Sequence, residues 1–355
     1  MITGTSFRTL QLTLTLPGAP RQPVTTQNVG VHNLAQAAIM ELSQNAPSFL
    51  GMALFFDNIL LPSTSELRWL GSGPGIGREI RRAMSALFGR FVARWYAHFH
   101  LGIISCLAID KDDLIFDLPN GSHVIAGRKS GLATGDRPDW VWFTNPGTSP
   151  PVGFLEAKGS FYRAGLRKAM ANADDQLKRM EIRSSGSSRR IMASKNWAIG
   201  SGWSTEVSIK GGFIRPELKV VDPIEEGENW TPDESAALLT LAMRMQLQQS
   251  LDGLGMSNVA KKLVPDGGAP ESDRPPGYPG RTGRWRTDGA DGKPLEFVGT
   301  LVLPPGKELE GDGVIVGYSS GYIELMASKG GPDDFGTDFL PILINRTQAE
   351  RLGDA

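Results

Sequence analysis

The sequence predicts an α/β fold. Leu10-Gln11-Leu12-Thr13-Leu14-Thr15-Leu16 alternates strictly, the period of a half-buried strand. Over residues 78–98, Ile80, Met84, Leu87, Phe88, Phe91 and Trp95 recur at three and four residues, the apolar stripe of an amphipathic helix. Further on, two short apolar runs, Trp140 to Phe143 and Val152 to Leu155, precede a second helical pattern, so strands and helices interleave.

In chain order, Asn33 is placed to cap a helix running to Leu42, with Leu34, Ala37, Ala38 and Leu42 on one face. A glycine-rich turn, residues 71–77, leads into the 78–98 helix. Residues 103–109 and 113–118 read as short strands, with an Asn120-Gly121 turn after them. The two apolar runs are joined by residues 145–151, dense in turn formers. A helix is expected over 163–182, its face made by Leu166, Ala169, Met170, Ala173, Leu177 and Met180, and a strand over 196–203. Thr231-Pro232-Asp233-Glu234 is a capping box with proline at the first helical position, starting a helix to about Leu251. Residues 256–294, rich in Pro, Gly, Asp and Arg, read as a long loop. Residues 296–304, 313–318 and 322–326 read as strands of a small β-rich C-terminal unit. The linear division is an N-terminal extension (1–70), a central domain (71–255), a linker (256–295) and that unit (296–355).

Composition narrows the function classes. The chain has 355 residues, 40% hydrophobic and 21% charged, with a net charge of -1, which argues against a wholly basic nucleic-acid coat and leaves room for a local basic groove. The single cysteine, Cys106, excludes an intrachain disulfide framework and a multi-cysteine zinc cluster, and suits a reducing compartment. MITGTSFRTLQLTLTL lacks the pattern of a signal peptide, and the strongest apolar run, 49–56, is too short to span a bilayer. The expectation is a soluble, cytoplasmic protein with no membrane partner.

The chemistry lies at the ends of the two apolar runs. One is entered through Pro138-Asp139, and the other runs into Glu156-Ala157-Lys158. In an antiparallel hairpin that pairs Thr144 near Val152, Asp139 falls opposite roughly residue 157, while Glu156 and Lys158 share a face. Two carboxylates at that range repel, and partial burial costs several kcal/mol per ion. A lysine offsets part of that cost and a hard divalent cation offsets more.

Pro138-Asp139 followed by Glu156-Ala157-Lys158 on consecutive strands resembles the PD-(D/E)XK nuclease superfamily, over about residues 71–203. The resemblance implies a restriction-endonuclease-like core, a mixed sheet flanked by helices. It implies Mg²⁺ or Mn²⁺ held by Asp139 and Glu156 with the Ala157 carbonyl as third ligand. It makes Lys158 the residue that orients or deprotonates water or stabilises phosphate charge. Some members add an acid from the first helix, for which Glu79 stands, and others a glutamine after the lysine, for which Gln176 stands. Arg163, Arg167, Lys168, Lys178 and Arg179 would give the second helix a basic side for phosphate contacts. The implied activity is phosphodiester hydrolysis, in DNA by family habit, with a role in bacterial defence or DNA processing. A homo-oligomer or protein partners in a larger complex are compatible with it. Glu217-Leu218-Lys219 repeats the E-x-K spacing with no preceding Asp-bearing strand, and serves as an internal control. The alternatives are a solvated strand end, or a non-catalytic nuclease-like subunit that binds nucleic acid or partner proteins.

Other signals weigh less. Residues 71–77 lack the Gly-Lys-Ser/Thr of a phosphate loop. Gly317-Tyr318-Ser319-Ser320-Gly321 matches a nucleophile elbow, but no histidine follows His123, so a tight turn is expected. His98 and His100, with Cys106 or His123, lack a zinc spacing and read as helix-end residues facing the dipole or solvent. Trp140, Trp142, Trp197 and Trp203 read as core rather than base-stacking groups. Arg274, Arg281, Arg284 and Arg286 suit either a nucleic-acid grip or a connector.

Overall fold

The structure, a computed structural model, describes residues 7–15, 22–54, 56–73, 77–109, 113–132, 135–148, 150–185, 189–208, 210–221, 227–263, 277–289, 292–303, 313–328 and 339–355. The elements begin with β1 (Phe7–Thr15), β2 (Thr25–Gly30), α1 (Val31–Asn45), a 3-10 segment (Pro47–Leu54), α2 (Phe56–Ile59), β3 (Arg68–Trp69) and α3 (Arg78–His100). Next are β4 (Ser105–Ala108), β5 (Leu114–Asp117), β6 (His123–Arg128), β7 (Trp140–Phe143), β8 (Val152–Ser160) and α4 (Arg163–Lys178). Then come β9 (Met180–Ser185), β10 (Arg189–Met192), β11 (Trp197–Gly202), β12 (Ser204–Thr205), β13 (Glu217–Val221) and α5 (Pro232–Gly253). The chain ends with α6 (Ser257–Ala260), β14 (Thr282–Asp288), β15 (Pro294–Val302), β16 (Val314–Ser319), α7 (Ser320–Ala327), β17 (Ile342–Asn345) and β18 (Glu350–Gly353).

Two compact units emerge: Phe7–Gly30 with Asn58–Leu241, and Val31–Asp57 with Ala242–Ala355. The first is mixed α/β, built on a seven-stranded sheet ordered β2-β1-β13-β11-β8-β7-β4 and flanked by helices. The β1–β13 and β8–β11 pairs are parallel and the rest antiparallel, so the sheet is mixed. β1 and β2 form one end of this sheet. A four-stranded antiparallel sheet, β10-β9-β6-β5, belongs to the same unit.

Helix α3 packs on β8 where Gly89 meets Gly159; a Cβ on Gly89 would lie 2.8 Å from the Gly159 Cα and N. Side chains alternate along a strand, so Lys158, which reaches α4, points away from the Gly159 side. The two helices therefore cover opposite faces of β8. Trp69, Phe88 and Trp203 interlock, with Trp69 at 4.6 Å from Phe88 and 5.2 Å from Trp203, and fix α3 on the sheet. Trp140, Trp142, Trp197 and Trp203 are all buried, as core packing requires.

In the second unit a five-stranded antiparallel sheet runs β17-β16-β15-β14-β18, with Trp285 buried among Phe297, Leu301, Ile315 and Ala349. Three expectations change here. β14 is a strand inside the stretch read as a loop, because Trp285 needs a pleated position to reach the core. Arg284 and Arg286 on it pair with Glu296 on β15; Arg274 lies outside the described residues. Residues 322–326 are helical, not a strand. Ser319 is the N-cap of α7, accepting from the Tyr322 N–H at 3.4 Å, rather than a turn residue.

In the first unit α4 ends at Lys178, not 182. Met180 and Ile182 are buried on β9, which pairs with both β6 and β10, and those ladders claim the backbone. The capping box holds: Thr231 Oγ1 accepts from the Glu234 N–H at 3.2 Å, and Glu234 accepts from the Thr231 N–H at 3.1 Å. No helix among the described residues is long and apolar enough to cross a membrane.

Candidate functional site

The β7–β8 hairpin pairs Phe143 with Val152 and Trp140 with Leu155. The register differs by one residue from the expected Thr144–Val152 pairing, and continuing it puts Asp139 opposite Glu156 rather than Ala157. Pro138 explains what happens next. The Thr144 N–H donates to the Pro151 carbonyl at 2.9 Å, so hydrogen-bonded pairs recur at Trp142–Gly153, Trp140–Leu155 and then Pro138–Ala157. Proline has no N–H, and the ladder stops. The Ala157 N–H donates instead to Asp139 Oδ2 at 2.7 Å. The Ala157 carbonyl, on the same side of the strand, cannot receive a ladder bond from Pro138.

The charged groups converge. The Asp139 backbone N–H donates to Glu156 Oε2 at 2.9 Å. Lys158 Nζ donates to Glu156 Oε1, and to Gln176 Oε1 on α4 at 2.9 Å. Gln176 Nε2 in turn donates to the Arg137 carbonyl at 3.2 Å, closing a ring from α4 back to the segment before Asp139. Arg90 on α3 donates to Asp139 Oδ1, its guanidinium 4.6 Å from the Trp140 ring centroid. The Glu156 side chain is 3% exposed against 16% for Asp139 and 22% for Lys158, so Glu156 is the floor and the others form the rim. Burial raises the Glu156 carboxyl above the usual range; Lys158, then Arg90, pull it down, and Asp136 pushes it up.

Both carboxylates suit a hard cation. Each oxygen already accepts one N–H, yet a carboxylate oxygen has a second lone pair, and such outer hydrogen bonds are what orient ligating carboxylates. Among the described residues no group of three or more His, Cys, Asp or Glu is placed to hold a metal. A cation here would rest on Asp139 and Glu156, completed by the Ala157 carbonyl and water, a set that suits Mg²⁺.

Other predicted residues fall elsewhere. Glu79 is exposed in the first turn of α3, eleven residues before Arg90 and so about 16 Å along the axis; the helix brings an arginine, not an acid, to Asp139. Arg163, Arg167, Lys168 and Lys178 are exposed on α4, whereas Arg179 is half-buried at its C-cap. Lys178 is held by Asp174 at 2.5 Å, and Arg163 lies 5.9 Å from the Phe213 ring centroid. Among the described residues the control motif gathers no such assembly: Lys219 meets Glu217 at 3.5 Å on β13. His98, expected at the helix end facing dipole or solvent, is buried, with Nδ1 2.7 Å from the Ile103 carbonyl; burial pushes it down to about 3, so it is neutral. The Gly71 N–H, part of the glycine-rich turn, donates to Glu206 at 2.8 Å, and residues 74–76 lie outside the described residues.

Arg90 is the residue sequence reading missed. A signal existed: Arg90 and Arg94 sit four apart in Phe88-Gly89-Arg90-Phe91-Val92-Ala93-Arg94-Trp95, and arginines in so apolar a stretch need acceptors. Arg94, fully buried, donates to the Cys106 carbonyl at 2.7 Å.

Compared with family models, with curated proteins and with solved structures, the chain matches none.

Proposed function

We propose that this chain is a metal-dependent nuclease of the PD-(D/E)XK kind, with a restriction-endonuclease-like core, that hydrolyses phosphodiester bonds in DNA. One observation carries the reading: Asp139, Glu156, Lys158 and Gln176, drawn from β8, α4 and the residue before β7, meet in one hydrogen-bonded cluster. Four residues separated in sequence and chosen for one chemistry rarely assemble on a solvated strand end. The order α3, β4, β7, β8, α4, β11 around a mixed sheet adds support.

In this reading Asp139 and Glu156 hold a divalent cation, which when bound supplies Lewis-acid charge at the scissile phosphate. Gln176 fixes the Lys158 ammonium, and Lys158 orients the attacking water and offsets charge growing on the phosphate oxygens. DNA as substrate, and a place in bacterial defence or DNA processing, follow from the family resemblance. The test is cleavage of DNA by the purified chain with Mg²⁺ or Mn²⁺. Asp139→Ala and Lys158→Ala variants that melt like the wild type should lose activity by about a hundredfold or more. Undiminished cleavage by both overturns the assignment.

A second reading has its own support. Two carboxylates already face two protein cations, a charge-balanced cluster of the kind a non-catalytic binding subunit would keep. Thermal melting that Mn²⁺ does not shift favours this reading.

A further inference from the structure

Resting on the nuclease reading, we infer that Arg90 sets the affinity of this site for a divalent cation, as the positioning residue that holds Asp139 and the charge a cation must work against. The contacts define its place. Arg90 donates to Asp139 Oδ1 while the Ala157 N–H takes Oδ2, so the Asp139 carboxylate is held from both sides. Its guanidinium lies over the face of Trp140, which is fully buried, and cannot swing freely away. Lys158 stands in the same relation to Glu156.

Two carboxylates and two protein cations leave the cluster with no net charge, the exposed Asp136 aside. A dication added to a neutral cluster gains less than one added to an anionic one, and at these distances a unit charge weighs heavily even after solvent screening. Arg90 thus lowers cation affinity and in exchange fixes the Asp139 oxygen in place. The consequence is a site that loads only when the cation is abundant.

The experiment is a Mn²⁺ titration followed by thermal melting on the full chain, for the wild type, Arg90→Gln and Arg90→Lys. Arg90→Gln, which removes the charge, should lower the Mn²⁺ midpoint roughly tenfold, and Arg90→Lys, which keeps it, should stay within about twofold of wild type. A midpoint unchanged or raised in Arg90→Gln, or shifted tenfold in Arg90→Lys, overturns the role of Arg90 and leaves the nuclease reading standing. Failure of every variant, wild type included, to respond to Mn²⁺ overturns both. Should Arg90→Gln not fold, Arg90→Met, which also removes the charge and keeps much of the side chain over Trp140, takes its place with the same expected and overturning midpoints.

Discussion

Lys158 Nζ donates to Gln176 Oε1 over 2.9 Å, tying the charged end of β8 to the buried face of α4. Gln176 also donates to the Arg137 carbonyl, so one amide spans the segment before Asp139 and the lysine. Gln176→Leu keeps the volume and removes both bonds, leaving a carbonyl and an ammonium short of partners. The expected cost is about 1–3 kcal/mol in urea unfolding. Displacing the ammonium by even ~1 Å should lower cleavage by up to about a hundredfold. A variant as active and as stable as wild type would show that Gln176 holds nothing.

Glu156 carries a pH signature. Burial holds its folded carboxyl above its unfolded value, with Lys158 opposing. A raised acid binds its proton more tightly in the folded state, so its contribution to stability is fully present below the unfolded value, near 4.5, and is lost as pH rises through the folded value. Glu156→Gln cannot ionise and lacks that loss. The stability of wild type relative to Glu156→Gln should therefore fall between acid and neutral pH, read from urea unfolding at several pH values. A relative stability that rises over the same window would reverse the sign and the burial argument with it.

Gly89 and Gly159 let α3 approach β8. A Cβ on Gly89 would stand 2.8 Å from the Gly159 Cα and 2.9 Å from the Lys158 carbonyl carbon, backbone atoms that cannot step aside alone. Gly89→Ala should cost about 1–3 kcal/mol despite the helix preference of alanine, and the strain falls on the strand that carries Glu156 and Lys158. A melting temperature equal to wild type would mean α3 is free to slide.

Much of this was legible where signals were local and repeated. The stripe from Ile80 to Trp95 placed α3, and Thr231 with Glu234 placed the start of α5 to the residue. The Pro138-Asp139 and Glu156-Ala157-Lys158 spacing located the cluster. Short apolar runs were not legible: Tyr322 to Met326 fits strand or helix, and the Ser319 cap decided it. Met180 continues the stripe of α4, yet pairing of its strand with two distant strands overrides it. Arg90 escaped for a like reason: an arginine in an apolar helical stretch signals the need for an acceptor but does not name a partner 49 residues away.

Ser319 offers a contrast between motif and contact. Its hydroxyl caps α7 through the Tyr322 N–H, and Gly317 sits opposite Gly299 where β15 and β16 run close. Ser319→Ala should cost about 1 kcal/mol, the usual value of a lost cap, and leave DNA cleavage unchanged. Loss of cleavage without loss of stability would show that Ser319 does more than cap α7.

The exposed cations of α4 separate into two kinds. Arg167 and Lys168 project to solvent, whereas Lys178 is bound by Asp174, with Asp175 adding to the negative field around it. If this helix meets phosphates, a cation already balanced by an aspartate releases few counterions on binding and contributes little. Arg167→Ala with Lys168→Ala should weaken DNA binding and reduce the salt dependence by about one to two ions, while Lys178→Ala changes neither. Binding isotherms across a range of KCl concentrations read both slopes directly. Equal losses from Lys178→Ala would mean that DNA follows the far end of the helix, and the contact surface would have to be drawn around Asp174 instead.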